Sequence, residues 1–198
     1  MAPVQHRGVR LLVVPGLHDS GPAHWQTWLQ AQHRDAVRVE QADWHTADLE
    51  TWASRIDHTL AQAGSGPWIA VAHSFGCLAL ARHFALRPAS GIAAALFVAP
   101  AEPETFGAAT CLPQGKLPVP SALVASDTDP WMTAASTRRW ARRWGSHWLS
   151  LGDAGHINSE SGFGPLPFAR RWVGAMAQRL AREQRPLHTS IAEWTFAV

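Results

Sequence analysis

Six short apolar runs alternate with amphipathic stretches along this chain, and that alternation narrows the folds open to it. The runs at residues 9–14, 36–41, 67–72, 92–98, 122–125 and 148–151 have the length of strands. The stretches between and after them, at 22–32, 47–63, 77–86, 133–144 and 168–183, read as helices. In 47–63, Leu49, Trp52, Ala53, Ile56 and Leu60 recur at three- and four-residue spacing, one face of a helix. Residues 92–98 are almost unbroken in apolar character, as expected of a strand covered on both faces. Strands separated by helices pair in parallel through right-handed crossovers. The expectation is a three-layer α/β fold, with a mostly parallel sheet of about six strands. The 198 residues fit one domain, with residues 185–198 as a C-terminal tail. Residues 102–120, rich in proline and glycine, read as a loop too short to form a large cap over the sheet.

Composition removes several classes of function. With 46% hydrophobic and 16% charged residues, the chain has the make-up of a globular protein. A formal net charge of +2 implies no nucleic-acid partner. Arg138, Arg139, Arg142 and Arg143 cluster on one helix around Trp140 and Trp144, which reads as a solvated flank beside a core-facing stripe. No apolar run reaches 18 residues, so no membrane span is expected, and residues 1–9 show no signal-peptide pattern. Cys77 and Cys111 allow one bridge at most, and a soluble cytoplasmic protein is the default. Eleven tryptophans without a tyrosine point to aromatic core packing. There is no His-Glu-x-x-His metal motif and no phosphate-binding glycine pattern, so neither metal nor cofactor is expected.

The chemistry concentrates at Ala72-His73-Ser74-Phe75-Gly76, between the third strand and the helix after it. A serine on a sharp strand-to-helix turn, with small residues two places to either side, is how an α/β-hydrolase exposes a nucleophile. The small residues let the turn pack its backbone closely around a strained serine. Ala72 stands where glycine is usual, one methyl group larger.

A serine hydroxyl is a weak nucleophile until an imidazole takes its proton and a carboxylate orients that imidazole. In an open parallel sheet these groups gather at the carboxyl ends of the strands, in the chain order serine, acid, histidine. Asp127 and Asp129 follow the strand at 122–125, and His156 follows the strand at 148–151. Of the two aspartates Asp129 is preferred, the other being left to cap the turn. Asp153 shares a loop with His156, whereas the acid ordinarily comes from a different strand. Backbone amides complete the site. Phe75, directly after the serine, supplies the first. The loop Pro15-Gly16-Leu17-His18-Asp19-Ser20-Gly21 supplies the second, from Leu17 or alternatively His18.

Several of these segments together resemble the retinoblastoma-binding-protein-9-like serine hydrolases, a cap-less branch of the α/β-hydrolase superfamily. They are the stretch from Pro15 through Gly21 to Pro22-Ala23-His24-Trp25-Gln26, the serine turn, Val98-Ala99-Pro100-Ala101, Ser126-Asp127-Thr128-Asp129-Pro130, and Gly155-His156-Ile157-Asn158. The resemblance implies Ser74 as nucleophile, Asp129 as acid and His156 as base. Esterase and peptidase-like activities are both associated with the branch. The leading expectation is a hydrolase of small carboxylic esters or related acyl compounds working through an acyl-enzyme. A site without a large cap is expected to be shallow and to favour short acyl chains. The alternative is a catalytically weak hydrolase fold that serves as a protein-binding module.

Overall fold

The computed structural model describes residues 8–183, and six strands form one fully parallel sheet in the order β2-β1-β3-β4-β5-β6. The strands are β1 (Arg10–Val14), β2 (Val37–Arg38), β3 (Trp68–Ser74), β4 (Ile92–Pro100), β5 (Ser121–Ala125) and β6 (His147–Ser150). Five helices connect or follow them: α1 (Trp25–Ala31), α2 (Leu49–Ala63), α3 (Phe75–Leu86), α4 (Ala134–Trp144) and α5 (Pro167–Glu183). This is the three-layer α/β-hydrolase architecture. The tail expected at 185–198 and most of the N-terminal stretch 1–9 lie outside the described residues.

Successive side chains of a strand point to opposite faces, so each strand contributes to two cores. Leu12, Val14, Ala70, Ala72 and Phe97 pack on the side of α2, α3 and α4, against Trp52, Ile56, Leu78, Trp140 and Trp144. Leu11, Val13, Ile69, Val71 and Val98 pack on the other, against Trp25 and Leu29 of α1 and Ala169, Val173 and Ala177 of α5. The tryptophans largely fill cores, as their abundance suggested. Trp52 and Trp144 lie within the interior and satisfy their indole N–H groups on the carbonyls of Thr46 (3.0 Å) and Pro113 (2.9 Å).

Element boundaries differ from expectation in instructive places. The edge strand β2 holds only two residues rather than 36–41, because beyond one further bond, from the Val39 amide to the Val13 carbonyl (2.9 Å), the chain leaves the sheet. Helix α1 begins at Trp25 rather than at Pro22. Residues 21–24 close a turn of their own, and the His24 ring accepts the Gln26 amide at 3.1 Å as the cap. Helix α3 starts two residues early, at Phe75, which sets Ser74 directly at its N-cap. Residues 102–120 hold two single 3-10 turns, Pro103–Phe106 and Ala109–Cys111, and no cap domain.

The serine turn is packed closely against the end of β1. A Cβ built on Gly76 would lie 2.2 Å from the Pro15 carbonyl oxygen and 2.7 Å from that of Val14, so only glycine fits there. Ala72 needs no such exception: it is a fully buried strand residue whose methyl joins the core. The end of β1 and the start of α3 are therefore in backbone contact, and the loop leaving β1 passes beside Ser74.

Candidate active site

Ser74 ends β3 at φ 52° and ψ −126°, a conformation that costs a residue other than glycine of the order of 1–3 kcal/mol. That strain turns its side chain out of the sheet at the N-terminus of α3, where no side chain caps the helix. The Phe75 amide, first in that helix, has no partner within it.

Ser74, His156 and Asp129, 82 and 27 residues apart in pairs, meet at the carboxyl rim of the sheet. The Ser74 Oγ lies 2.9 Å from His156 Nε2. His156 Nδ1 lies 2.9 Å and 3.1 Å from the two carboxylate oxygens of Asp129. A carboxylate only accepts, so Nδ1 carries the proton and donates to Asp129, and Nε2 accepts from the Ser74 hydroxyl. The Asp129 side chain is only 2% exposed. The competing carboxylates are occupied elsewhere: Asp127 accepts from the Ser150 hydroxyl (2.7 Å), and Asp153 from that of Thr128 (2.7 Å).

Two short hydroxyl residues tie the acid turn to the histidine loop. Ser126 Oγ accepts the Ala154 amide at 3.0 Å, and Thr128 Oγ1 accepts the Gly155 amide at 3.0 Å. Ser161 Oγ accepts the His156 amide at 3.1 Å, and Asn158 Oδ1 in turn accepts from Ser161. From below, the His73 ring donates through Nε2 to the His156 carbonyl oxygen at 2.9 Å. Sequence reasoning missed His73, Ser126, Thr128 and Ser161 as supports. The only signal was their position inside the quoted segments or a few residues beyond them.

His73 stands between two other rings, with centroids 4.8 Å from both His24 and His156. Burial pushes the His73 pKa well below its ordinary value, with the charges of His156 and His24 adding to the effect. Burial, then the Arg38 charge, then His156 lower that of His24 to about 4, against a smaller opposing pull from Asp19. His73, packed on His156, and His24 behind it are thus neutral near pH 7, so a positive charge arising on the His156 imidazole meets no like charge from either ring.

The loop after β1 is held in an unusual shape. His18 (φ 67°) and Asp19 (φ 61°) are consecutive left-handed residues. Arg38 clamps them: its guanidinium donates to Asp19 Oδ1 (2.7 Å), the Ser20 carbonyl (3.1 Å) and Thr27 Oγ1 (2.7 Å). The buried Gln26 accepts from Ser20 (2.5 Å) and donates to the Val14 and Val71 carbonyls (3.0 and 3.1 Å). The His18 amide donates to the Trp44 carbonyl at 2.8 Å and is thereby engaged, while Leu17 lines the cleft over Ser74.

A cleft of about 360 Å³ opens over Ser74 and His156, with Leu17, Phe106, Trp131 and Glu160 among its walls. A second cavity of about 380 Å³ lies at the opposite end of β3, beside Trp68, Ser90 and Gly91, remote from the triad. Trp25 is buried and packs against His73 at 6.1 Å rather than bordering the cleft. No group of three metal-ligating side chains occurs among the described residues, and no helix there is long and apolar enough to cross a membrane. Asp19 is taken by Arg38, and His18 lies against His45 with their Nδ1 atoms 3.0 Å apart.

Comparison with known proteins identifies the family and the fold. The profile of a family described as serine hydrolase matches residues 11–175. The crystal structure of a protein described as a YdeN-like hydrolase from Pectobacterium atrosepticum is 34% identical, with a TM-score of 0.83 over 88% of this chain and 93% of that one. The ydeN gene product of B. subtilis, at 18% identity, aligns with a TM-score of 0.71 over 85% of this chain and 98% of its own. The esterase RhEst1 from Rhodococcus sp., at 13% identity and a TM-score of 0.63, shares the fold over 90% of this chain and 92% of that one. No curated protein matches.

Proposed function

This chain belongs to the serine hydrolase family, and we propose that it cleaves small carboxylic esters through an acyl-enzyme formed on Ser74. Within that family we place it in the retinoblastoma-binding-protein-9-like branch, on the segments that carry the resemblance. The observation that carries the activity is the continuous hydrogen-bond path from Ser74 Oγ through His156 to Asp129, with 2.9 Å at each step.

In the reaction Ser74 Oγ bonds to the ester carbonyl carbon while its proton passes to His156 Nε2. The carbonyl oxygen takes the negative charge and is held by the Phe75 and Leu17 amides. Collapse breaks the bond to the leaving oxygen, which receives the proton from Nε2. Water then attacks the acyl-serine, giving its proton to Nε2. The bond to Oγ breaks, the proton returns to Ser74, and a carboxylic acid departs. Asp129 keeps the proton on Nδ1 throughout and stabilises the imidazolium. Neutral His24 and His73 make that cation easier to form.

A cleft of about 360 Å³ is at the small end for ligand sites, which supports short acyl compounds. Cys77 and Cys111 are free thiols, which supports work in the cytoplasm. Hydrolysis of p-nitrophenyl acetate and butyrate tests the reading. Turnover should fall by roughly 10⁴-fold in Asp129→Asn and to background in Ser74→Ala. Unchanged turnover in Ser74→Ala would refute it.

A further inference from the structure

Trp131 is 57% exposed and Leu86 42%, and these are the two exposed large apolar side chains among the described residues. Leu86 ends α3, whereas Trp131 borders the cleft that holds Ser74. An indole left in water is unfavourable by its apolar area, unless a partner covers it at work.

The backbone beneath the indole is pinned. The Trp131 amide donates to Asp129 Oδ1 at 2.9 Å, and its carbonyl accepts the Glu102 amide at 3.1 Å. The ring therefore has a fixed base in the acid turn, with its centroid 6.3 Å from that of His156. Leu17, Ala101 and Phe106 supply the other apolar lining of the cleft, and the Phe106 ring is itself braced on Phe75 at 5.0 Å.

His156 is the group that returns a proton to the leaving oxygen. Whatever is bonded to that oxygen lies beside the imidazole, and the indole lines the same cleft with its centroid 6.3 Å from that ring. We propose that Trp131 is the platform for the alcohol portion of the ester, and that this portion is a flat apolar group such as an arylmethyl alcohol. The proposal rests on the ester-hydrolase reading above and specifies its substrate. A flat ring against a flat ring gains more than area burial alone. A short alkyl group gains little from the same surface.

Two matched ester series separate the alcohol side from the acyl side. Benzyl acetate and propyl acetate share the acyl group, and ethyl phenylacetate and ethyl butyrate share the alcohol. Acid release is followed for wild type, Trp131→Ala and Trp131→Phe. Trp131→Ala should raise KM for benzyl acetate about tenfold, with Trp131→Phe retaining most of the affinity. Propyl acetate and both ethyl esters should stay within about twofold of wild type. Equal changes for the benzyl and propyl esters, or a loss confined to phenylacetate, overturn the proposal. So does a dimer, seen by sedimentation, that Trp131→Ala dissociates, because a second copy would then occupy the indole. Failure of the hydrolase reading itself looks different: Ser74→Ala would keep its turnover on all four esters. Trp131 is exposed, so a thermal melt matching wild type confirms that Trp131→Ala is folded.

Discussion

A methyl group placed on Gly16 would come within 2.8 Å of the Ser74 Cβ and 3.0 Å of the His73 carbonyl oxygen. The loop after β1 and the serine turn are thus built against each other, and neither side has a flexible end that could yield. Gly16→Ala should push the Leu17 amide away from the position where negative charge develops. Loss of one such donor typically lowers kcat by about 10²–10³-fold. Single-turnover kinetics with p-nitrophenyl acetate should show that loss in acylation, and an acylation rate equal to wild type would show that the loop does not serve the site.

Arg38 acts on the same loop from a distance. Its side chain is 12% exposed and anchors Asp19 and the Ser20 carbonyl, directly after the left-handed His18. Without the clamp these residues relax toward ordinary conformations. Arg38→Met should lower kcat about tenfold and weaken a trifluoromethyl ketone inhibitor by a similar factor, with KM little changed. A rise in KM alone would assign Arg38 to substrate binding instead.

Much of this was legible in the sequence, and the parts that were not have a common cause. Strand–helix alternation gave the sheet, and the order of Ser74, Asp129 and His156 after successive strands gave the meeting of three distant side chains. The preference for Asp129 over Asp127 agrees with the geometry, whereas the choice between Leu17 and His18 was left open in the sequence. It turned on where the His18 amide finds its acceptor, the Trp44 carbonyl, a contact between loops 26 residues apart. The supports His73, Arg38 and Ser126 were hidden because each works through hydrogen bonds to segments distant from its own element. A histidine in a buried strand or a serine in a turn has no periodicity to expose such a bond. The start of α1 was misplaced because His24 caps it, and a histidine cap lacks the signal of serine or aspartate.

Buried histidines predict a pH limit on stability. His24 and His83 have pKa values lowered from 6.5 to about 4, in each case chiefly by burial. Between those values the unfolded chain binds protons that the folded chain does not, so stability falls as pH drops from 6.5 toward 4. The loss is about 3 kcal/mol for each histidine at the lower end. Urea unfolding at successive pH values should show the decline, and His83→Gln, remote from the triad, should make it shallower. Stability constant from pH 7 to 4 would mean that these rings can take up protons in place.

The central claim is that Ser74 is made nucleophilic by His156. A fluorophosphonate probe followed by intact-protein mass and peptide mapping tests it most directly. One adduct on Ser74 is expected in wild type, forming far more slowly in His156→Ala and not at all in Ser74→Ala. Labelling of Ser74→Ala to the wild-type extent, or an adduct mapped to another residue, would contradict the account.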